Sequence, residues 1–446
     1  MDETGNPVLP RHKVEQAVRL SYAQAMLGSI FAASTGGMFL IGYALKLGAN
    51  NVQIGLLSTL PMLFVVVQLF SSMLVERGIS RRKMTIVAGG LNVCGWGLVI
   101  SLPYVFAHAS ANVRITALLA LISFLTAFAY VSGNARSSWI GDLIPADTRG
   151  AFFGKMTMYA GIIGAIFAVV EGRLLDGLKL QGISAFNWLF VIGMFFGLLN
   201  IILFFPQADV PVARDEDNPG FLSMIRATFT NRPLMTVMVY TLVWSMQAIA
   251  APFYATYLLR DMKMPFLGFG ILSGLATVTM LISSSFWGRI VDRYGTRPVL
   301  IAGTLVAAPM PLIWIWLTDL RTIYTVIVPV NLIMGFVAAG VGVGLTTLLY
   351  KVTPNAGRSV QFAVYSVTIL LLVSPMPTIG GYLPDWLKAI GIHADLRCTF
   401  YATTIILFGA VFAARAVKEP DSIGAVELVL SLPEHIMKPA TLEPEE

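Results

Sequence analysis

The decapeptide Gly288-Arg289-Ile290-Val291-Asp292-Arg293-Tyr294-Gly295-Thr296-Arg297 stands between two long apolar runs, at about 267–287 and 298–317. Three arginines and an aspartate are costly in hydrocarbon, so the segment marks a water-facing turn between two membrane-crossing helices. It has an echo. The stretch Ser72-Met-Leu-Val-Glu76-Arg77-Gly78-Ile-Ser-Arg81-Arg82-Lys83 also ends an apolar run with an acid, an Arg, a Gly and further basic residues, and Glu76 stands 216 positions before Asp292. A second pair, Pro145-Ala-Asp147-Thr-Arg149-Gly150 and Pro354-Asn-Ala-Gly357-Arg358-Ser359, is offset by 209 positions. Two features recurring at nearly one offset point to a duplicated unit.

Outward from these turns the chain is built of apolar runs. A helix needs about 20 apolar residues to cross a bilayer. Runs of that kind fall at about 20–45, 52–75, 84–106, 114–135, 151–171 and 187–205, and then at 233–257, 267–287, 298–317, 323–350, 359–382 and 397–416. The division is a tail at 1–19, six spans over 20–206, a linker at 207–232, six spans over 233–417, and a tail at 418–446. The linker segment Phe221-Leu-Ser-Met-Ile-Arg226 alternates at helical spacing and predicts a short helix on the membrane surface. A similar stretch occupies Ile423 to Leu432.

Composition agrees. Hydrophobic residues make up 56% of the 446 and charged residues 12%, against about 25% charged in a soluble domain. The net charge of +6 forms no nucleic-acid patch, because the basic residues sit in short clusters between apolar runs. With the N-terminus inside, 21 of the 30 Lys and Arg fall on the cytoplasmic side. This bias places both termini in the cytoplasm. Arg136 is counted there as a loop residue after span four.

Several functions are excluded or left without support. No G-x-x-x-x-G-K-[ST] loop is present for an ATP-driven pump. Cys94 and Cys398 give neither a disulfide framework nor a metal spacing. His12, His108, His393 and His435 fall in loops or tails, so neither a catalytic constellation nor a metal or cofactor site is expected.

The loop Gly288, Asp292, Arg293, Gly295, Arg297 resembles the G-x-x-x-D-R-x-G-x-R motif of the major facilitator superfamily. The first-half copy departs from it, with Ser72 for the Gly and Glu76 for the Asp. The stretch Trp139-Ile-Gly-Asp142-Leu-Ile-Pro145 to Arg149-Gly150-Ala-Phe-Phe-Gly154 is similar to the end of the fourth helix in many such transporters. The resemblance runs from about residue 15 to 417. It implies an all-α membrane protein with twelve transmembrane helices in two pseudo-symmetric six-helix bundles. These would surround a cavity lined by helices one, four, seven and ten.

The implied function is secondary active or facilitative transport of a small neutral or amphipathic organic solute by alternating access, in the cytoplasmic (inner) membrane of a bacterium. The chain would be a monomer, with protons as one coupling ion to consider. The alternative is a non-transporting receptor or an assembly factor for a membrane complex.

Three sets of residues are candidates. For gating, Arg77 is expected to bridge Glu76 and Asp142 and so lock the outward-facing state, with Arg149 and Arg358 in the neighbouring turns. In the second half Lys351 replaces the acid at the position of Asp142, so an Asp292–Lys351 attraction is expected. The bland alternative is that these charges only fix topology. For the solute, Tyr240, Trp244 and Gln247 share one face of span seven at i, i+4, i+7 spacing. Thr35, Tyr130, Asn134 and Asn331 fall on the other lining helices. Each could equally serve as a helix–helix hydrogen bond. Glu171, at the outer end of span five, is the coupling candidate; an interfacial anchor or a partner for Arg173 is its simpler role.

Overall fold

A computed structural model describes residues 10–144, 148–177, 182–209, 221–317, 319–353, 358–417 and 419, with backbone alone at Arg11, Glu76, 221–224, Leu320, Arg358 and Ser359. The expected tail helix at Ile423–Leu432 lies outside the described residues. Every regular element among the described residues is helical.

Among the described residues, twelve helices are long and apolar enough to cross a membrane. They are α1 (His12–Leu47), α2 (Asn51–Val75), α3 (Arg81–Val105), α4 (Ala111–Leu143), α5 (Arg149–Gly177), α6 (Ile183–Ile202), α7 (Arg232–Asp261), α8 (Phe266–Tyr294), α9 (Thr296–Trp316), α10 (Ile323–Val352), α11 (Val360–Ala389) and α12 (Cys398–Ala416). Helix is forced here, because in hydrocarbon each backbone N–H and C=O needs a partner within its own segment. Large apolar side chains such as Phe70, Leu98, Ile282, Trp316, Ile405 and Phe412 stay exposed on the outside of the bundle, as lipid contact permits.

The linker helix, Phe221–Thr230, forms as expected. It packs against α11, and Thr228 on it is fully buried.

Side chains start the helices where the turns end. Asn50 and Gln53 make a reciprocal capping box at α2, with Asn50 Oδ1 accepting from the Gln53 amide at 2.9 Å and Gln53 Oε1 from the Asn50 amide at 3.0 Å. Ser80 caps α3 and Asn231 caps α7.

Several spans are interrupted. In α1 the chain breaks at Gly36–Gly37, where Gly37 adopts φ +51°, a backbone conformation open to glycine. In α11, Pro375 has no N–H to offer the Leu371 carbonyl, and Ser374 Oγ donates to that carbonyl instead at 2.8 Å. A short 3-10 turn, Met246–Ile249, interrupts α7 before Pro252.

With twelve spans, both described ends of the chain lie on one face, called here the terminal face. The two halves meet along α5–α8 and α2–α11, and their close contacts gather at the opposite face. A Cβ added at Gly172 on α5 would lie 2.6 Å from the Phe266 carbonyl oxygen on α8. One added at Gly381 on α11 would lie 2.6 Å from the Asn51 carbonyl oxygen on α2. Only glycine lets the backbones come this near.

Candidate transport cavity and gates

Polar clamps reinforce the seam at the opposite face. The Asp176 carboxylate, at the end of α5, accepts from the Phe266 and Leu267 amides at 3.1 and 2.8 Å. It thereby caps α8 across the two halves, where a helix start favours an anion. Arg260 donates to Asn51 Oδ1 at 2.7 Å. Midway along the seam, Thr59 Oγ1 donates to the Ser374 carbonyl at 2.7 Å, at the break in α11.

Toward the terminal face the same seam is open. Gly154 on α5 and Gly288 on α8 have no neighbouring atom within 4 Å of an added Cβ. Higher up, Gly161 on α5 faces Leu281 on α8. Two helical turns further along each of these antiparallel helices bring Gly154 opposite Gly288.

A cavity of about 610 Å³ occupies the terminal half of the first bundle and reaches Thr277, Met280 and Leu281 of α8. Its polar wall includes Asn92 on α3, Ser132 and Arg136 on α4, and Asn200 on α6. The Arg136 guanidinium lies over the Phe204 ring, 5.6 Å from its centre. In the second half, cavities of about 210 and 520 Å³ share Gln247 and Tyr254.

Two charge latches hold each half together at the terminal face. Arg81, at the first turn of α3 and 2% exposed, pairs its Nη1 with Asp142 Oδ2 at 2.6 Å and donates to Ser138 Oγ at 2.9 Å. The expected Arg77 bridge to Asp142, a lock of the outward-facing state, is not formed in this structure. Arg77 is an exposed cap at the end of α2, and Asp142 binds Arg81 because the α3 start faces the end of α4. The Glu76 side chain lies outside the described residues, as does that of Arg358.

The expected Asp292–Lys351 pair is likewise not formed in this structure. Asp292 is exposed, and Lys351 Nζ lies 2.9 Å from Glu419 Oε1. Glu419 also accepts from the Thr296 and Arg297 amides at 2.7 and 2.8 Å and from Thr296 Oγ1 at 2.7 Å. It sits on the N-terminus of α9, a natural anion site. Burial pushes its pKa up, but hydrogen bonds from Lys351, the Arg297 amide and Thr296, with the Lys351 charge, outweigh that and hold it below the ordinary value. Of the remaining motif residues, Arg149 donates to the Ile144 carbonyl at 3.2 Å. Arg293 lies against the Tyr294 ring, Gly295 (φ +87°) makes the turn into α9, and Arg297 donates to the Arg415 carbonyl.

The Major Facilitator Superfamily model matches residues 23–372 and 234–429. This chain belongs to that superfamily. Solved structures of the superfamily's fold match nearly the whole chain at low identity. A mutant of the nucleoside transporter NupG is 13% identical, covers 90% of this chain and 100% of its own, and has a TM-score of 0.71. A bacterial homolog of the human lysosomal transporter Spinster, inward-facing and unoccupied, is 14% identical over 92% of this chain and 98% of its own, at 0.65. A bacterial metal transporter is 14% identical over 92% and 99%, at 0.59. No curated protein matches. The chain is therefore an integral, multi-pass membrane protein of a transporter superfamily, and its twelve-helix fold is the one its motifs implied.

In this superfamily member the expected solute residues divide. Gln247, Trp244 and Asn331 line the second-half cavities. Tyr240 is fully buried, its hydroxyl 2.8 Å from Thr304 Oγ1 on α9. Thr35 is buried and donates to its own helix at the Phe31 carbonyl. Asn134 donates to the Gln68 carbonyl and Ser72 Oγ on α2. Tyr130 is half-buried and lines none of these three cavities.

Glu171 is 1% exposed. One carboxyl oxygen accepts from Ser34 Oγ at 2.5 Å, just before the break in α1, and the other has no partner among the described residues.

Arg81, Arg136, Asn92, Asn200 and Glu419 are functional candidates that the sequence did not single out. For Arg136 a signal was present: Ser132 and Arg136 share a helix face at i, i+4. The apolar run ends at residue 135, yet α4 continues to Leu143 and carries Arg136 into the cavity.

Proposed function

We propose that the chain moves a small amphipathic organic solute across the membrane by alternating access, as a secondary active or facilitative transporter. The observation that supports this reading is the asymmetry of the seam between halves. It is zipped by glycine contacts and polar clamps at one face, and it stands open beside the cavity at the other. The excess of Lys and Arg assigns the open face to the cytoplasm by the positive-inside rule. The state is then inward-open, in a bacterial inner membrane with both termini inside, and the unit is one chain.

Glu171 is the coupling candidate within this reading, a carboxyl enclosed between α1 and α5 with one oxygen free to carry a proton. The test is purified protein in proteoliposomes, screened against solutes that raise its thermal midpoint, with uptake followed with and without a proton gradient. Cysteines at Ser29 and Thr157, both on the cavity wall, should react with membrane-impermeant reagents from the cytoplasmic side, and solute should protect them. Absence of flux for every stabilising solute, with cysteines closed to both sides, would sink the reading.

A further inference from the structure

We propose that the 610 Å³ cavity of the first half is a binding site for a small organic monoanion that also carries an N–H or O–H donor. Its acidic group pairs with Arg136, and its donor is accepted by the amide oxygens of Asn92 and Asn200. This deepens the transport reading and rests on it for its physiological consequence.

Three unsatisfied atoms make the case. Among the described residues, Arg136 Nη2 is buried without a hydrogen-bond partner, as are Asn92 Oδ1 and Asn200 Oδ1. All three residues line one cavity. A guanidinium removed from water needs an anion, and an enclosed amide oxygen needs a donor, or each carries its desolvation penalty uncompensated. No Asp or Glu among the described residues lines this cavity, so the wall itself offers no carboxylate there. The guanidinium faces the Phe204 ring and its Nη2 is sealed in this structure, so the side chain turns that N–H edge to the cavity when it takes up the anion. A guanidinium matches a carboxylate or phosphate in two-pronged fashion.

The opposite requirements of the two kinds of orphan select for both features in one ligand. A cation would be repelled by Arg136, and a bare anion would leave both amides unanswered. Apart from the hydroxyls of Ser29, Ser132, Thr157 and Thr277 the remaining wall is apolar, with Phe31, Val93, Ile201 and Met280, which suits a hydrocarbon or aromatic body between the two polar ends. The volume is within the ordinary range of small-molecule sites.

The test uses the purified full-length protein and four matched probes: 4-hydroxyphenylacetate, its neutral amide 4-hydroxyphenylacetamide, phenylacetate, which lacks the donor, and the cation tyramine. Affinities come from the shift of the thermal midpoint with concentration. The hydroxy acid should bind at least tenfold more tightly than its amide and several-fold more tightly than phenylacetate, with tyramine silent. Arg136→Gln should erase the acid-over-amide preference, and Arg136→Lys should restore part of it. Asn200→Leu should instead erase the preference for the hydroxy acid over phenylacetate while keeping acid over amide. This variant carries the test if Arg136→Gln fails to fold. Equal binding of acid and amide, an acid preference that survives Arg136→Gln, or no binding of either acid overturns the proposal.

Uptake of radiolabelled probes into proteoliposomes separates the two readings. Tight acid binding without passage would remove transport and leave the site. Passage of amide and acid alike would keep transport and remove the site.

Discussion

The ammonium of Lys351 lies 2.9 Å from the Glu419 carboxylate, and this pair occupies in the second half the place held in the first by Arg81 and Asp142 at 2.6 Å. The acid of the repeat has changed place. The first half puts its cation at the start of the third helix and its acid at the end of the fourth. The second half keeps a cation, Arg297, at the position 216 residues after Arg81, but has Lys351 where the first half has the acid Asp142. An acid beyond the last span completes the arrangement, binding the bare helix N-terminus and the lysine together. Each half thus keeps its terminal face closed on itself with a charge pair of its own making.

Glu419 should matter to stability in a pH-dependent way. Its pKa is held below the ordinary carboxylate value of 4.5, so its contribution is fully present above that value. It is lost as pH falls through the lowered folded value. Thermal midpoints measured from pH 7 downward should fall more steeply below about 4.5 for the wild type than for Glu419→Gln. At pH 7 the variant should cost about 1–3 kcal/mol, the scale of leaving partly buried donors unpaired. Parallel curves would remove the latch.

Arg81→Ala should destabilise the first half by about 2 kcal/mol, because it strands Asp142 and Ser138. Arg77→Ala, at an exposed helix end, should change stability by less than about 0.5 kcal/mol. Denaturant titration of the two variants side by side decides which arginine carries the latch.

The seam between α5 and α8 predicts opposite outcomes at its two ends. Gly172→Val must displace the Phe266 carbonyl, so it should loosen the closed face and admit reagents there. Gly154→Val and Gly288→Val meet open space in this state and should leave the thermal midpoint unchanged. If these two glycines meet when the terminal face closes, the same variants should cut transport at least tenfold. Wild-type flux in both would show that the seam does not close through them.

Glu171→Gln keeps the size and the Ser34 contact of the side chain but removes its proton chemistry. Solute exchange between the two sides of a proteoliposome should persist, while accumulation driven by a proton gradient should be lost. Gradient-driven accumulation at the wild-type level would place coupling elsewhere.

The count of spans, the duplication and the superfamily were all legible in the chain itself, while several helices run six to eight residues past their apolar runs. The reason is physical: lipid forces each crossing to be a helix of about 20 apolar residues, and charge can gather only where those helices end. The partners of the charges were not legible. Arg77 and Arg81 are four residues apart in one basic turn, and only the packing of α3 on α4 gives Asp142 to the second. Lys351 finds Glu419 because the end of α12 returns to the start of α9, a meeting of residues 68 positions apart. Arg136 reads as a loop cation because hydropathy ends at residue 135. It lines a cavity because α4 runs on for two more turns and turns that face inward. Hydrophobic periodicity fixes how many helices form and how long they are; which polar side chains share an enclosure depends on helix rotation and depth, and those are set by contacts between segments far apart in the chain.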